Sequence, residues 1–223
     1  MHQTVGWVLA VALLWCGSAR AQEAEPTTFR RGQGWSVLSG QTVDQGNTVV
    51  HAELGWPGLS ASLLHGVTPK LDVGGRFNLN YGYEGRVDTV APGLKLQGVL
   101  RVMLLERDRI NLGLEFAPGP FFYFFSAGRG ASRTEAGLVM PLALSLGVFA
   151  SSAILVNVGL ELPMYVVFGP SGGFQFPILV GAGAEYYIDQ KLALTLNTRM
   201  GPTLTTGNAR FTLEVLFGVA YRL

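Results

Sequence analysis

The last thirteen residues, Phe211 to Leu223, alternate from end to end. Phe211, Leu213, Val215, Phe217, Val219, Tyr221 and Leu223 are apolar, and Thr212, Glu214, Gly218, Ala220 and Arg222 between them are small or polar, with Leu216 the one exception. A repeat of two places these sets on opposite faces of a strand. One face is greasy along its whole length. The other is polar and small, which is the dyad of a strand with lipid on one side and a polar lumen on the other.

The same alternation begins at Thr48 and recurs through the chain. Val73, Gly75, Phe77, Leu79 and Tyr81 oppose Asp72, Gly74, Arg76, Asn78 and Asn80; Ile154, Val156, Val158 and Leu160 oppose Asn157, Gly159 and Glu161. Turn signals separate the runs, and thirty glycines argue for tight strands and turns over helices. The pattern predicts an all-β fold, a transmembrane antiparallel up-and-down β-barrel of about ten strands, within a range of eight to twelve. Connections at 68–70, 106–109, 150–152 and 189–191 are short, whereas 84–92, 125–134, 169–173 and 201–208 are mostly longer; a small barrel keeps its short turns and both termini on the periplasmic side.

The aromatics gather toward two levels. Trp56, Tyr81, Tyr83, Phe121–Phe125, Phe168, Phe174, Phe176 and Phe211 fall toward the outer ends, and Phe149, Tyr186 and Tyr221 toward the periplasmic ends. This distribution predicts two interfacial belts. A soluble lipocalin-like barrel, with its apolar set inside, fits such belts poorly.

Residues 1–21 read as a signal peptide, with an apolar core over 5–15 and an Ala19-Arg20-Ala21 cleavage site. The rival reading is a lipoprotein signal ending at Cys16. Cleavage after Ala21 removes the only cysteine and leaves fifteen basic and fifteen acidic residues. Export without cysteine needs no oxidative folding, and a neutral balance gives no reason to expect nucleic acid as a partner. Residues 22–46 read as a periplasmic lead-in in which Trp35–Gln41 forms a short strand or a lumen plug. The barrel spans 47–223.

Parity places Arg76, Lys95, Arg101, Arg199, Arg210 and Arg222 inside, against Glu53, Asp72, Glu115, Glu161, Glu185 and Glu214, a near-neutral balance. Counting from the turns sets Arg101 opposite Glu115, Glu214 diagonal to Arg199, and Arg76 across from Arg101. This lumen network is either a paired set that satisfies buried charge or a constriction that selects solutes by charge, and a narrow barrel favours the first. Pro141, Pro163 and Pro177 should mark bulges or loosened pairing, because proline cannot donate to a ladder.

One enzyme-like set exists: His51 and Glu53 share a face, and the turn at Pro57-Gly58 brings Ser62 opposite Glu53. In the lumen these read as polar lining. A ten-stranded outer-membrane protease would want paired aspartates and a histidine at the outer rim, and His51 and His65 are not in outer loops. Two separate histidines without cysteine build no metal site. The loop Gly128–Arg133, beside Phe121–Phe125, is the candidate outer contact surface.

The signal peptide, the amphipathic strands and the terminal Tyr221-Arg-Leu223 resemble small bacterial outer-membrane β-barrel proteins, the broad group around the OmpA- and OmpW-like barrels. The resemblance implies a monomer in outer-membrane lipid, without cofactors. It also implies that Phe217, Val219, Tyr221 and Leu223 form the signal read by the barrel-assembly machinery, with periplasmic chaperones acting during biogenesis; the group usually ends in Phe where this chain has Leu223. The expected role is structural or a narrow passive channel without catalysis. A surface-binding barrel and a barrel hydrolase are the alternatives.

Overall fold

The computed structural model describes residues 33–85, 90–127, 131–169, 172–205 and 208–223. The expected signal peptide and residues 128–130 of the outer loop lie outside them. The described residues form β1 (Thr48–Trp56), β2 (Gly58–Thr68), β3 (Leu71–Gly82), β4 (Val90–Arg107), β5 (Ile110–Phe116), β6 (Gly119–Ala127), β7 (Ala131–Phe149), β8 (Ile154–Phe168), β9 (Gly173–Pro177), β10 (Leu179–Tyr187), β11 (Leu192–Thr205) and β12 (Asn208–Arg222). All pair antiparallel. β12 returns to β1, with Val50 opposite Tyr221 and Leu54 opposite Phe217, so the sheet closes on itself.

Twelve segments make ten staves. β5 and β6 both pair with β4 and with β7, so they are halves of one interrupted stave. β9 and β10 stand in the same relation to β8 and β11. The chain is therefore a transmembrane antiparallel β-barrel. Its outward residues are the apolar half of each alternation: Leu54, Leu96, Val180 and Phe217 are all more than half exposed. A closed ring leaves no edge strand, the condition for placing a sheet in hydrocarbon.

Two expectations change. The outer connections are shorter than the turn signals suggested, because pairing runs on to Ala127 opposite Ala131 and to Thr205 opposite Asn208. The aromatic residues also divide between the two faces. Tyr81, Phe122, Phe124, Phe168, Phe174 and Phe211 face outward as a belt, but Tyr83, Phe121 and Tyr123 turn inward and are buried, as is Phe149 at the opposite end. Consecutive residues of a strand cannot all face lipid, so half of the Phe121–Phe125 run must fill the barrel.

The prolines mark loosened pairing and not bulges, and Pro177 itself ends β9 at the break before β10. Register shifts fall at Gly66/Thr68, Asn80/Gly82 and Met103/Leu105. Pro141 and Pro163 face each other within an unbroken β7–β8 ladder. The consequence appears on their far sides. The Pro141 carbonyl accepts from Ala117 N–H at 3.1 Å, so its missing donor also points at the gap between β5 and β6. Pro163 faces the gap between β9 and β10 in the same way, as does Pro202, whose carbonyl accepts from Ile178 N–H at 2.9 Å. A seam of missing donors thus crosses neighbouring staves at one height. The amides of Ala117, Gly119, Ile178 and Leu179 are expected to exchange faster than those at 155–160 of β8 when hydrogen exchange is followed in detergent; uniform protection would contradict the seam.

Candidate functional site

The lumen has three levels. At the end carrying the short turns and the C-terminus, residues 35–43 form no strand and lie inside the ring. Trp35 and Val43 are fully buried, and their neighbours bond to inward side chains around the wall. Glu185 on β10 accepts from the Ser36 hydroxyl at 2.7 Å, from Val37 N–H at 2.9 Å and from Leu38 N–H at 2.6 Å, and Tyr187 donates to its other oxygen at 2.5 Å. On the opposite wall Asp72 accepts from Val43 N–H at 3.1 Å. Arg101 binds Asp72 with Nε at 2.9 Å and Nη2 at 2.6 Å, and it also donates to the Ser36 carbonyl at 2.7 Å. Two wholly buried carboxylates therefore supply the acceptors that a strandless segment lacks. Fit is close: a Cβ on Gly40 would lie 2.1 Å from Gly113 N, so both positions need glycine.

The middle level is a polar chamber of about 90 Å³, room for several waters. Arg76 from β3 donates to Glu115 from β5 at 2.8 Å. Arg199 Nη1 lies 2.6 Å from Glu161 Oε2, a charge contact without hydrogen-bond alignment, and 3.7 Å from Glu214. His51 Nε2 is 3.0 Å from Thr195 Oγ1 and 3.8 Å from Glu53 Oε1.

The far level is aromatic. Tyr83, Phe121, Tyr123, Val139, Tyr165 and Val167 pack into one buried cluster, with Tyr83 and Tyr123 edge to face at 4.7 Å. Inside it Glu84 accepts from Lys95 Nζ at 3.0 Å and from the Tyr165 hydroxyl. Glu84 has left-handed backbone, φ 48°, in a 3-10 turn over Tyr83–Gly85, which tucks its side chain into the mouth. Burial pushes the Tyr83 phenol well above its ordinary pKa, so it stays protonated and donates to Glu135 at 2.8 Å.

Of the eight charged lumen positions, Arg76 and Glu115 pair with each other, as do Arg199 and Glu161, with Glu214 beside them. Register gives Arg101 and Glu115 as direct opposites, yet each turns to a different partner. Asp72, not Arg76, lies across from Arg101, and Glu214 is directly opposite Arg199, not diagonal to it. Lys95 reaches Glu84, which lies in the connection expected over 84–92 and continues the inward parity of Asn80 and Gly82. Glu185 anchors the internal segment. His51 lies opposite Ser62, and Glu53 opposite Ser60, which corrects the earlier pairing of Ser62 with Glu53. His65 faces outward against Thr48 at 2.9 Å. Phe217, Val219 and Tyr221 form the exposed outer row of β12, and Leu223 N–H donates to the Thr48 carbonyl at 2.9 Å.

No family model and no curated protein matches the chain. Among the solved chains that match is the outer membrane protease OmpT from Escherichia coli, with a TM-score of 0.43 and 8% identity, covering 79% of this chain and 93% of that one. That finding overturns the expectation of a barrel without catalysis, because a matched chain is itself an enzyme. At that identity and score the likeness assigns no activity and carries over no residue role.

Asp72 and Arg101 join the wall to the internal segment. Asp72→Ala leaves Arg101 charged and buried, and should cost about 3–5 kcal/mol. The double variant Asp72→Leu/Arg101→Met should recover part of the loss. Urea midpoints of both proteins in lipid vesicles check this.

Proposed function

We propose that the chain is an outer-membrane β-barrel that works as a narrow passive channel for small polar solutes, with a charge-paired lumen and a resting state closed by residues 35–43. One observation carries the reading: the closing segment is held by hydrogen bonds to Glu185, Asp72 and Arg101, and no strand pairing ties it into the wall. Such a segment can leave while every ladder stays intact. Above it the chamber runs from Leu38 to Tyr165, lined by Arg76, Glu115, Arg199 and Glu214. The apolar outer face supports lipid as its solvent, and the Phe217–Leu223 row supports assembly from the C-terminal strand.

Gly113→Val separates this reading from a purely structural barrel. A Cβ at Gly113 would meet Gly40 Cα at 2.5 Å, so valine excludes the segment, while β propensity in the wall is kept or improved. In planar bilayers the native protein should conduct rarely, and Gly113→Val should conduct steadily in proportion to salt. A Gly113→Val protein that shows the heat-dependent gel shift of a closed barrel, inserts and stays silent would overturn the channel reading.

A further inference from the structure

We propose that the lumenal chamber binds a small monovalent cation at Glu53, a site independent of whether the lumen conducts. Inward carboxylates outnumber inward cations among the described residues, and most of the excess is accounted for. Asp72, Glu84, Glu115 and Glu161 each face a basic partner. Glu185 holds four donors, and Glu214 shares Arg199. Glu53 has neither. Its side chain is 9% exposed, its Oε1 is buried with no hydrogen-bond partner, and it lines the chamber. The nearest basic group, His51 Nε2, is 3.8 Å away and is engaged with Thr195.

A carboxylate left in this state holds a counter-charge or gives up its own. The surroundings favour a cation with oxygen ligands. Ser60 is the register partner of Glu53, and Ser62 stands two residues further along the same inward row, both lining the chamber. Across the other seam the partner is Gly218, where a Cβ would come within 2.8 Å of Glu53 Cγ and 2.5 Å of Thr195 Oγ1. Glycine at this position lets the Glu53 stem and the Thr195 hydroxyl pack against bare backbone, so the ligand's room is on the chamber side of the carboxylate, toward Ser60 and Ser62. One carboxylate with hydroxyls and water falls short of the several carboxylates that hold calcium, and the described residues contain no group of three or more His, Cys, Asp or Glu able to hold a metal ion. An alkali ion needs less charge and tolerates water and hydroxyl ligands.

The test is the midpoint of the heat-dependent gel shift of the refolded barrel, at neutral pH, in potassium or sodium chloride against N-methylglucamine chloride at equal ionic strength. The bulky cation is too large for the chamber. With alkali ion the midpoint should rise by about 3–6 °C for each tenfold of salt above the dissociation constant. Glu53→Gln should lose the dependence and melt in N-methylglucamine at or above the native protein, since it no longer buries a lone charge. Ser60→Ala keeps the carboxylate and should shift the dependence to higher salt, which serves if Glu53→Gln does not refold. Glu106→Gln, exposed near the turn end of β4, should behave as native. Equal native midpoints in both salts would overturn the site, as would Glu53→Gln keeping the dependence, or mild acid in N-methylglucamine reproducing the whole rise, which would make the counter-charge a proton.

Discussion

Closure of the β1–β12 seam is the constraint on which everything else depends. Lipid offers no partner to a free N–H or carbonyl, so a sheet can enter it only as a ring. Once the ring is closed, the period of two leaves no choice about side chains. The apolar half of every strand faces out, and whatever lies between faces in. For this chain the inward set includes Arg76, Lys95, Arg101 and Arg199 along with eight carboxylates among the described residues, so polar packing inside the barrel is a consequence of the wall.

The barrel fills that interior in two ways. At the far end it uses side chains of its own wall: Phe121, Tyr123 and Tyr165 bury their rings, the Tyr123 hydroxyl meets Asn80 and the Tyr165 hydroxyl meets Glu84. Near the turns it uses backbone. Residues 35–43 bring N–H groups to Glu185 and Asp72, so that two carboxylates which would otherwise be isolated become the anchors of the segment. The arrangement is mutual. The segment has no ladder without the acids, and the acids have too few donors without the segment.

The wall was legible in the sequence because its rule is local and repeats. Each strand states its own alternation, and the runs put the stave number near ten within a range of eight to twelve; even the interruption of two staves leaves the inward parity unchanged, as Ala117 and Phe121 continue from Glu115. The interior was legible only as a set. Parity told which charges face inward, but which cation meets which acid depends on side-chain reach across three staves, as when Arg76 passes Gln97 of β4 to reach Glu115. Residues 35–43 have no period at all. Their place is set by contacts with β3, β4, β8 and β10, each far away in the chain, so Trp35-Ser-Val-Leu reads equally well as a strand or as a plug.

The two glycines at the closest approach show how little separates a closed lumen from an open one. Gly40 and Gly113 meet backbone to backbone, and no larger pair fits in that space. Much of what else holds the segment is polar: hydrogen bonds to buried carboxylates and to carbonyls of the wall, each worth a modest net amount because water can replace it. Trp35, Val37 and Val43, with Leu38 packed against them, add apolar burial in one core cluster, and beyond Leu38 the stretch Ser39 to Gln41 carries no apolar side chain. A segment packed by apolar contacts throughout would be a permanent part of the core. One held by fit and by exchangeable polar contacts can be displaced, and that difference is why the lumen reads as a closed passage and not as a solid interior.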